Sequence, residues 1–178
     1  MYIGWAIMSQ TNTSLLYEEK QRFTQWWAWL FILLPLGIGL YGCYVQFFLQ
    51  TPFGDKPMSN TGLLIFTLFG LAFVYFFWLN RLTTQVTEKG LRIQFFPYVT
   101  RTIGWGEIDH CRVMPYSFVG GWGLRLGTQY GTVYNVKSGQ GLFVQLKNKE
   151  KCLVGTQSPE ELKRLLQQLE VSRELLTD

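Results

Sequence analysis

Phe23-Thr-Gln-Trp-Trp-Ala-Trp-Leu-Phe-Ile-Leu-Leu-Pro-Leu-Gly-Ile-Gly-Leu-Tyr-Gly-Cys43 carries no charged side chain, and the charge-free run continues to Asp55. A second uncharged run lies between Lys56 and Arg81, with Thr61-Gly-Leu-Leu-Ile-Phe-Thr-Leu-Phe-Gly70-Leu-Ala-Phe-Val-Tyr-Phe-Phe-Trp-Leu79 at its heart. An apolar helix of about 20 residues rises about 30 Å, the depth of a bilayer's hydrocarbon core. The two runs therefore predict an N-terminal two-helix transmembrane hairpin over residues 25–80, with spans at about 25–49 and 61–79. Residues 1–24 are expected to precede it as a cytoplasmic segment, in which Glu18-Glu-Lys-Gln-Arg22 is helix-permissive and leads into the first span. Residues 82–178 are expected to form one soluble domain.

Details within the hairpin agree with lipid as the solvent. Trp26, Trp27 and Trp29 mark an interface, where an indole keeps its N–H wet. Pro35 offers a kink. Gly39 and Cys43 have the small-xxx-small spacing that lets another helix approach closely. The second span is the obvious partner, and a larger integral protein is another. Gln50 to Asn60 has turn chemistry through Pro52, Gly54, Asp55, Pro57 and Asn60. Phe73 to Trp78 forms a second aromatic cluster.

Lys20, Arg22, Arg81, Lys89 and Arg92 flank the outer ends of the spans, against Lys56 alone in the loop. That bias predicts both termini in the cytoplasm and localisation to an inner, cytoplasmic membrane. The first stretch begins too late and runs too long for a cleavable signal. The apolar opening Met1 to Met8 is too short to span, and Met8 competes with Met1 as the start.

The net charge of +4 is mild, and no Lys/Arg run reaches the density of a nucleic-acid site. No nucleic-acid partner is expected; membrane lipids are. Cys43, Cys111 and Cys152 read as reduced, small apolar residues.

After Arg81 the period changes from helical to alternating. Leu82 to Val86 and Leu91 to Phe95 alternate, and Thr87-Glu-Lys-Gly90 reads as their hairpin turn, with Gly90 where positive φ is needed. Thr102–Trp105, Ile108–Val113, Leu124–Leu126, Thr132–Val136, Gly141–Leu146 and Lys151–Val154 continue the strands, with a tight turn at Lys147-Asn-Lys-Glu150. Ser158-Pro-Glu-Glu161 then opens a helix by capping box and first-position proline. Leu162, Leu165, Leu166 and Leu169 make its apolar stripe. The class is α+β.

About seven strands closed by one helix, with Thr87-Glu-Lys-Gly-Leu91, Ile103-Gly-Trp-Gly-Glu-Ile108 and Ser158-Pro-Glu-Glu-Leu162, resembles bacterial two-span membrane proteins with a pleckstrin-homology-like (PH-like) domain. Gly121-Trp-Gly-Leu-Arg125, Tyr134-Asn-Val136 and Leu153-Val-Gly-Thr-Gln-Ser-Pro-Glu-Glu161 are similar to one such group. The resemblance covers nearly the whole chain after Lys20. It implies a curved antiparallel sheet or barrel capped by one C-terminal amphipathic helix. The layout is also similar to that of the two-span assembly factor of photosystem I, without a shared motif.

An enzyme is not expected. His110 lies on a strand between Asp109 and Cys111, and alternation sends it to the opposite face from both. A Cys–His dyad needs the two side chains to meet. No His/Cys/Asp/Glu spacing suits a metal, and no cofactor is expected. Gly120-Gly-Trp-Gly123, Gly127 and Gly131 lack the strand–loop–helix context and the Gly-Lys-Ser/Thr ending of a phosphate loop. Trp122, Arg125 and Tyr134 could form an aromatic–cation interaction patch, or Arg125 could pack on Trp122 and stiffen the sheet. Pleckstrin-homology domains often take lipid headgroups at the first hairpin turn, so the resemblance offers Lys89, Arg92 and Arg101 for that role. The expected function is a non-catalytic accessory, assembly or scaffolding subunit. It would bind a larger membrane complex, or itself, through its spans (Gly39, Cys43) and its domain. The alternative is a membrane-anchored lipid-headgroup-binding module.

Overall fold

After Arg22 the chain leaves a β-strand, and it does not return to one until Arg81. The computed structural model describes residues 14–137 and 139–177, with side chains as far as 169. The Met1–Met8 opening and its two candidate starts lie outside the described residues.

β1 (Leu15–Arg22) pairs antiparallel with β2 (Arg81–Thr87), from Arg22 opposite Arg81 to Tyr17 opposite Val86. The expected helical lead into the first span is thus a strand. Its buried face is Tyr17, Glu19 and Gln21, and those polar groups have partners. The Glu19 carboxylate accepts from the Tyr17 hydroxyl at 2.8 Å, the Thr156 hydroxyl at 2.7 Å and the Gln157 N–H at 2.6 Å. Gln21 donates to the Gly155 carbonyl at 2.7 Å. A strand with polar residues on both faces is stable only with such satisfaction. The unit that contains β1 therefore joins residues from both sides of the helices, and residues 23–80 form the other compact unit.

In the helical unit, α1 (Trp26–Cys43) runs into a π-helical turn (Tyr44–Phe48), and α2 (Asn60–Leu79) returns. Ser59 caps α2, its hydroxyl accepting from the Gly62 N–H at 3.2 Å. The helices meet at glycines. A Cβ on Gly39 would lie 2.7 Å from the Thr67 hydroxyl, and one on Gly70 would lie 3.0 Å from the Leu36 Cα. Thr67 donates to the Leu63 carbonyl at 2.8 Å and lies 3.4 Å from the Cys43 sulfur. Most of the remaining helix surface is apolar and exposed, including Phe31, Leu34, Leu68 and Phe69.

The β-unit has two sheets. The first is the meander β1-β2-β3-β4, with β3 at Gly90–Phe96 and β4 at Val99–Gly104. The second runs β5-β8-β9-β7-β6. Its strands are β5 (Ile108–Tyr116), β6 (Gly123–Thr128), β7 (Gly131–Asn135), β8 (Gly139–Leu146) and β9 (Lys151–Thr156). Nine strands thus stand among the described residues where about seven were expected, and the second sheet is mixed. The β6–β7 hairpin interrupts the β5–β8 meander and lies along the far edge of β9, pairing in parallel through Thr132–Tyr134 opposite Cys152–Val154.

Leu82, Val86, Leu91, Ile93 and Phe95 are buried from the first sheet, and Val133, Leu142, Val144 and Leu153 from the second. Each contributes roughly 1.5–3 kcal/mol by leaving water. Gly90 has ordinary φ. It is glycine because a Cβ there would collide with the Ile103 carbonyl oxygen of β4. The turn at 147–150 is as expected, with Lys149 at φ 70°. α3 (Pro159–Thr177) starts where Leu162 N–H donates to the Ser158 carbonyl at 3.1 Å. Leu162 and Leu166 bury its stripe, and the helix packs against β1, β5 and β8.

Candidate interaction surfaces

Glycines with positive φ at 120, 121, 123, 127 and 131 coil the β6–β7 hairpin and the loop before it. Within it Tyr134 is taken inward and Arg125 stands outward. Tyr134 is 3% exposed. Its phenol accepts from Arg101, and its pKa is raised by burial, which the arginine partly opposes. Arg125 is exposed and its guanidinium lies against Gly121, where a Cβ would overlap it. Trp122 is half-buried. The exposed residues of this region include Arg125, Phe118 (70% exposed) and Leu126 (74%). Sequence reading passed over Phe118 and Leu126. Their signal was two large apolar residues in a glycine-rich segment too short to bury both.

Beneath this loop, Asn135 is fully buried, and its amide donates to the Tyr116 hydroxyl at 3.3 Å and the Gly121 carbonyl at 3.4 Å. Tyr116 in turn donates to the Lys137 carbonyl at 2.7 Å. These bonds pin the 117–122 loop to β7, so the exposed residues stand on a braced support.

The expected headgroup trio does not converge. Lys89 is exposed in the β2–β3 turn, which is the second connection of its sheet because β1 precedes it. Arg92 points outward. Arg101 pairs with buried Ile93 and so lies on the opposite face. There it bridges the two sheets, bonded to Glu150 and to Tyr134. Burial pulls the Arg101 pKa down, but those partners outweigh it and the net shift is upward. Arg101 is a structural cation.

Gly39 and Cys43 face α2. The close-approach surface expected between them is filled by Thr67 and is not open to an outside helix.

His110 Nδ1 lies 3.6 Å from the Asp109 carboxylate, because a bulge between Ile108 and His110 breaks the alternation that should have parted them. Both side chains are about half exposed. Gln145 also donates to Asp109, at 3.1 Å. Among the described residues no three His, Cys, Asp or Glu side chains are grouped to hold a metal ion.

A hollow of about 650 Å³ lies between β1 and the start of α3 and is lined by Leu16, Tyr17, Gln157, Glu161, Arg164 and Leu165. Burial, with the bond to Glu19, raises the Tyr17 pKa. No family model, curated protein or solved structure matches this chain.

Proposed function

We propose that this chain is an integral membrane accessory or scaffolding subunit that does no chemistry itself. α1 and α2 cross the bilayer, and a PH-like domain on the cytoplasmic side presents a partner-binding face. The observation that carries this reading is the pairing of β1 with β2 across the whole helical unit. Two long apolar helices leave a β-ladder and re-enter it opposite the residue they left. Two membrane crossings return the chain to the same side, as that pairing demands. The helices are apolar around most of their circumference, and only 17% and 11% of their most apolar windows are buried. A core helix of a water-soluble protein hides its apolar surface; these helices suit lipid.

The PH-like reading is supported by counting the insertions. Without the β6–β7 hairpin, the strands are a four-stranded meander (β1–β4) and a three-stranded one (β5, β8, β9), with α3 packed on both. Lys20, Arg22, Arg81, Lys89 and Arg92 on one side against Lys56 on the other support a cytoplasmic β-unit. Phe118, Arg125 and Leu126 are the face offered to a larger membrane complex or a second copy. Large exposed apolar side chains such as Phe118 and Leu126 are the type that anchors protein contacts.

Extraction of the full chain from its own membranes in mild detergent tests this. The wild type is expected in a particle larger than the monomer, and F118S/L126S in a smaller one. A wild type that migrates alone overturns the subunit reading. A tail digested by protease outside intact cells overturns the orientation.

A further inference from the structure

One face of the second sheet gathers cations that are remote in sequence. His110 on β5 is opposite Gln145 on β8, and Gln145 is opposite Lys151 on β9, so the three form one cross-strand row. Arg112 and Phe143 stand in the next row but one step along. The His110 ring and the Arg112 guanidinium lie 5.8 and 6.0 Å from the centre of the Phe143 ring. Alternation puts this face opposite the one that carries buried Val144 and Cys152. Lys147 and Lys149 are exposed in the turn from β8 to β9. That turn is fixed by its own bonds. The Lys149 N–H donates to the Leu146 carbonyl at 2.9 Å, the Leu146 N–H to the Glu150 carbonyl at 2.8 Å and the Glu150 N–H to the Asn148 side chain at 2.9 Å.

The acids nearby are already engaged. Asp109 accepts from Gln145 at 3.1 Å, Glu150 is bound to Arg101, and Glu107 accepts from the Gly104 N–H at 3.0 Å. Arg112, Lys147, Lys149 and Lys151 are all exposed, and none of them makes an ion pair among the described residues. Four cations thus stand on the β8–β9 turn and the strands beside it without a bonded anion.

We propose that this patch docks an extended acidic segment of a partner protein, with Asp or Glu at alternate positions. The spacing selects that partner. Arg112 and Lys151 stand two strands apart, with about 10 Å between their backbones at roughly 4.8 Å per strand. Gln145 lies between them, and Lys147 and Lys149 follow in the turn, so the cations line a track rather than converge on one point. A single phosphate needs converging donors. An extended chain repeats its side chains on one face about every 7 Å, and successive carboxylates can then meet successive cations along the track. The one phenyl ring of the patch, Phe143, is 7% exposed. It therefore offers no platform on which nucleic-acid bases could stack. Each of these contacts lies in solvent, so affinity comes from their number and falls as salt screens them.

The test uses the full chain in a neutral detergent and a short fluorescent peptide with glutamate at every second position, with binding read by anisotropy. The wild type is expected to bind this peptide, more weakly as salt rises, and to bind its glutamine version less well by roughly threefold per charge removed. R112Q/K151Q should weaken binding of the glutamate peptide by about tenfold, and K147Q/K149Q by a similar factor. R112K/K151R should keep most of it. K163Q/R164Q, which removes exposed cations of α3, should keep nearly all. Near-ultraviolet circular dichroism identifies any variant that has lost its fold, and K147Q/K149Q, confined to an exposed turn, then decides against K163Q/R164Q. Equal binding of the two peptides overturns the site, as does equal loss in K147Q/K149Q and K163Q/R164Q. A single-stranded oligonucleotide or a short-chain phosphatidylglycerol that binds the wild type more tightly than the glutamate peptide overturns the choice of partner.

Discussion

Between α1 and α2 the buried residues are Ile32, Gly39, Gly42, Leu63 and Gly70. In the β-unit they are Leu82, Val86, Leu91, Ile93, Phe95, Leu142 and Leu153, with others of similar size. One region makes contact by removing side chains, the other by filling space with them. In water, large apolar side chains drive association by leaving the solvent. In lipid that gain vanishes, and close backbone packing takes its place. The helices also keep Phe, Leu and Tyr on their outer surface, where the β-unit places Lys, Arg, Thr and Gln. On the reading proposed above, the two units follow the rules of different solvents within one chain.

The contrast breaks hardest at Leu153, which is fully buried in the cluster with Tyr116, Val133 and Phe143. Leu153→Ala is expected to cost the β-unit about 2–5 kcal/mol. Far-ultraviolet circular dichroism during denaturation should show strand signal lost early while helix signal persists. Simultaneous loss of both would show that the units share one stability.

Glu19→Ala is expected to cost about 2–3 kcal/mol, because the Tyr17 and Thr156 hydroxyls and the Gln157 N–H lose a charged acceptor in a dry place. Hydrogen exchange should then be fastest in β1. Glu19→Gln keeps an acceptor and should cost less than half as much. Equal loss in both variants would mean that the charge of Glu19, and not its shape, holds β1.

Glu19 also shows where the sequence stopped being legible. The helices could be read from their composition because each is a long run of apolar residues without a single charge. The strands after Arg81 and the start of α3 could be read because their periodicity and cap residues are local. β1 could not. Leu15 to Arg22 has polar residues on both faces, and apart from Tyr17 the partners described for Glu19 and Gln21 lie more than 130 residues away. Separation in sequence also hid the true role of Arg101, whose anion Glu150 lies 49 residues further on. The parallel pairing of β7 was invisible because nothing in Thr132–Val136 specifies which strand it lies beside. Of the candidate surfaces, residue types were legible but faces were not. Bulges and positive-φ glycines around β6 shift the alternation that a linear reading assumes.

The helical side of the contrast is sharpened at Gly39. Gly39→Val puts two methyl groups where Thr67 already stands, 2.7 Å from the missing Cβ. About 2 kcal/mol of overpacking strain is expected. Thr67→Cys supplies the readout, because residue 67 already lies 3.4 Å from the Cys43 sulfur. Oxidation should cross-link Cys43 to the new cysteine quickly, and Gly39→Val should slow that reaction severalfold. An unchanged rate would mean that the helices are held together elsewhere.

The smallest effect expected is alkaline loosening of the β-unit. Burial pushes the Cys152 thiol up from 9.0 to about 11, with Arg101 pulling the other way. Below about pH 9 the thiol is neutral in both folded and unfolded chains, and the folded state has its full stability. Between about pH 9 and pH 11 the unfolded chain releases the proton while the folded chain still holds it, so stability falls with rising pH. After allowance for screening, the loss is on the order of 1 kcal/mol. Tyr116 and Tyr134, also raised by burial from 10.0, extend the loss to higher pH. Urea midpoints for the β-unit at pH 8 and pH 10.5 should differ in the wild type and differ less in Cys152→Ala. The helices α1 and α2 meet through glycines and apolar side chains of their own and not through Cys152, so their share of the helical circular-dichroism signal should not follow the same curve. If it did, the two units would be titrating as one, and the separation of solvents argued above would fail.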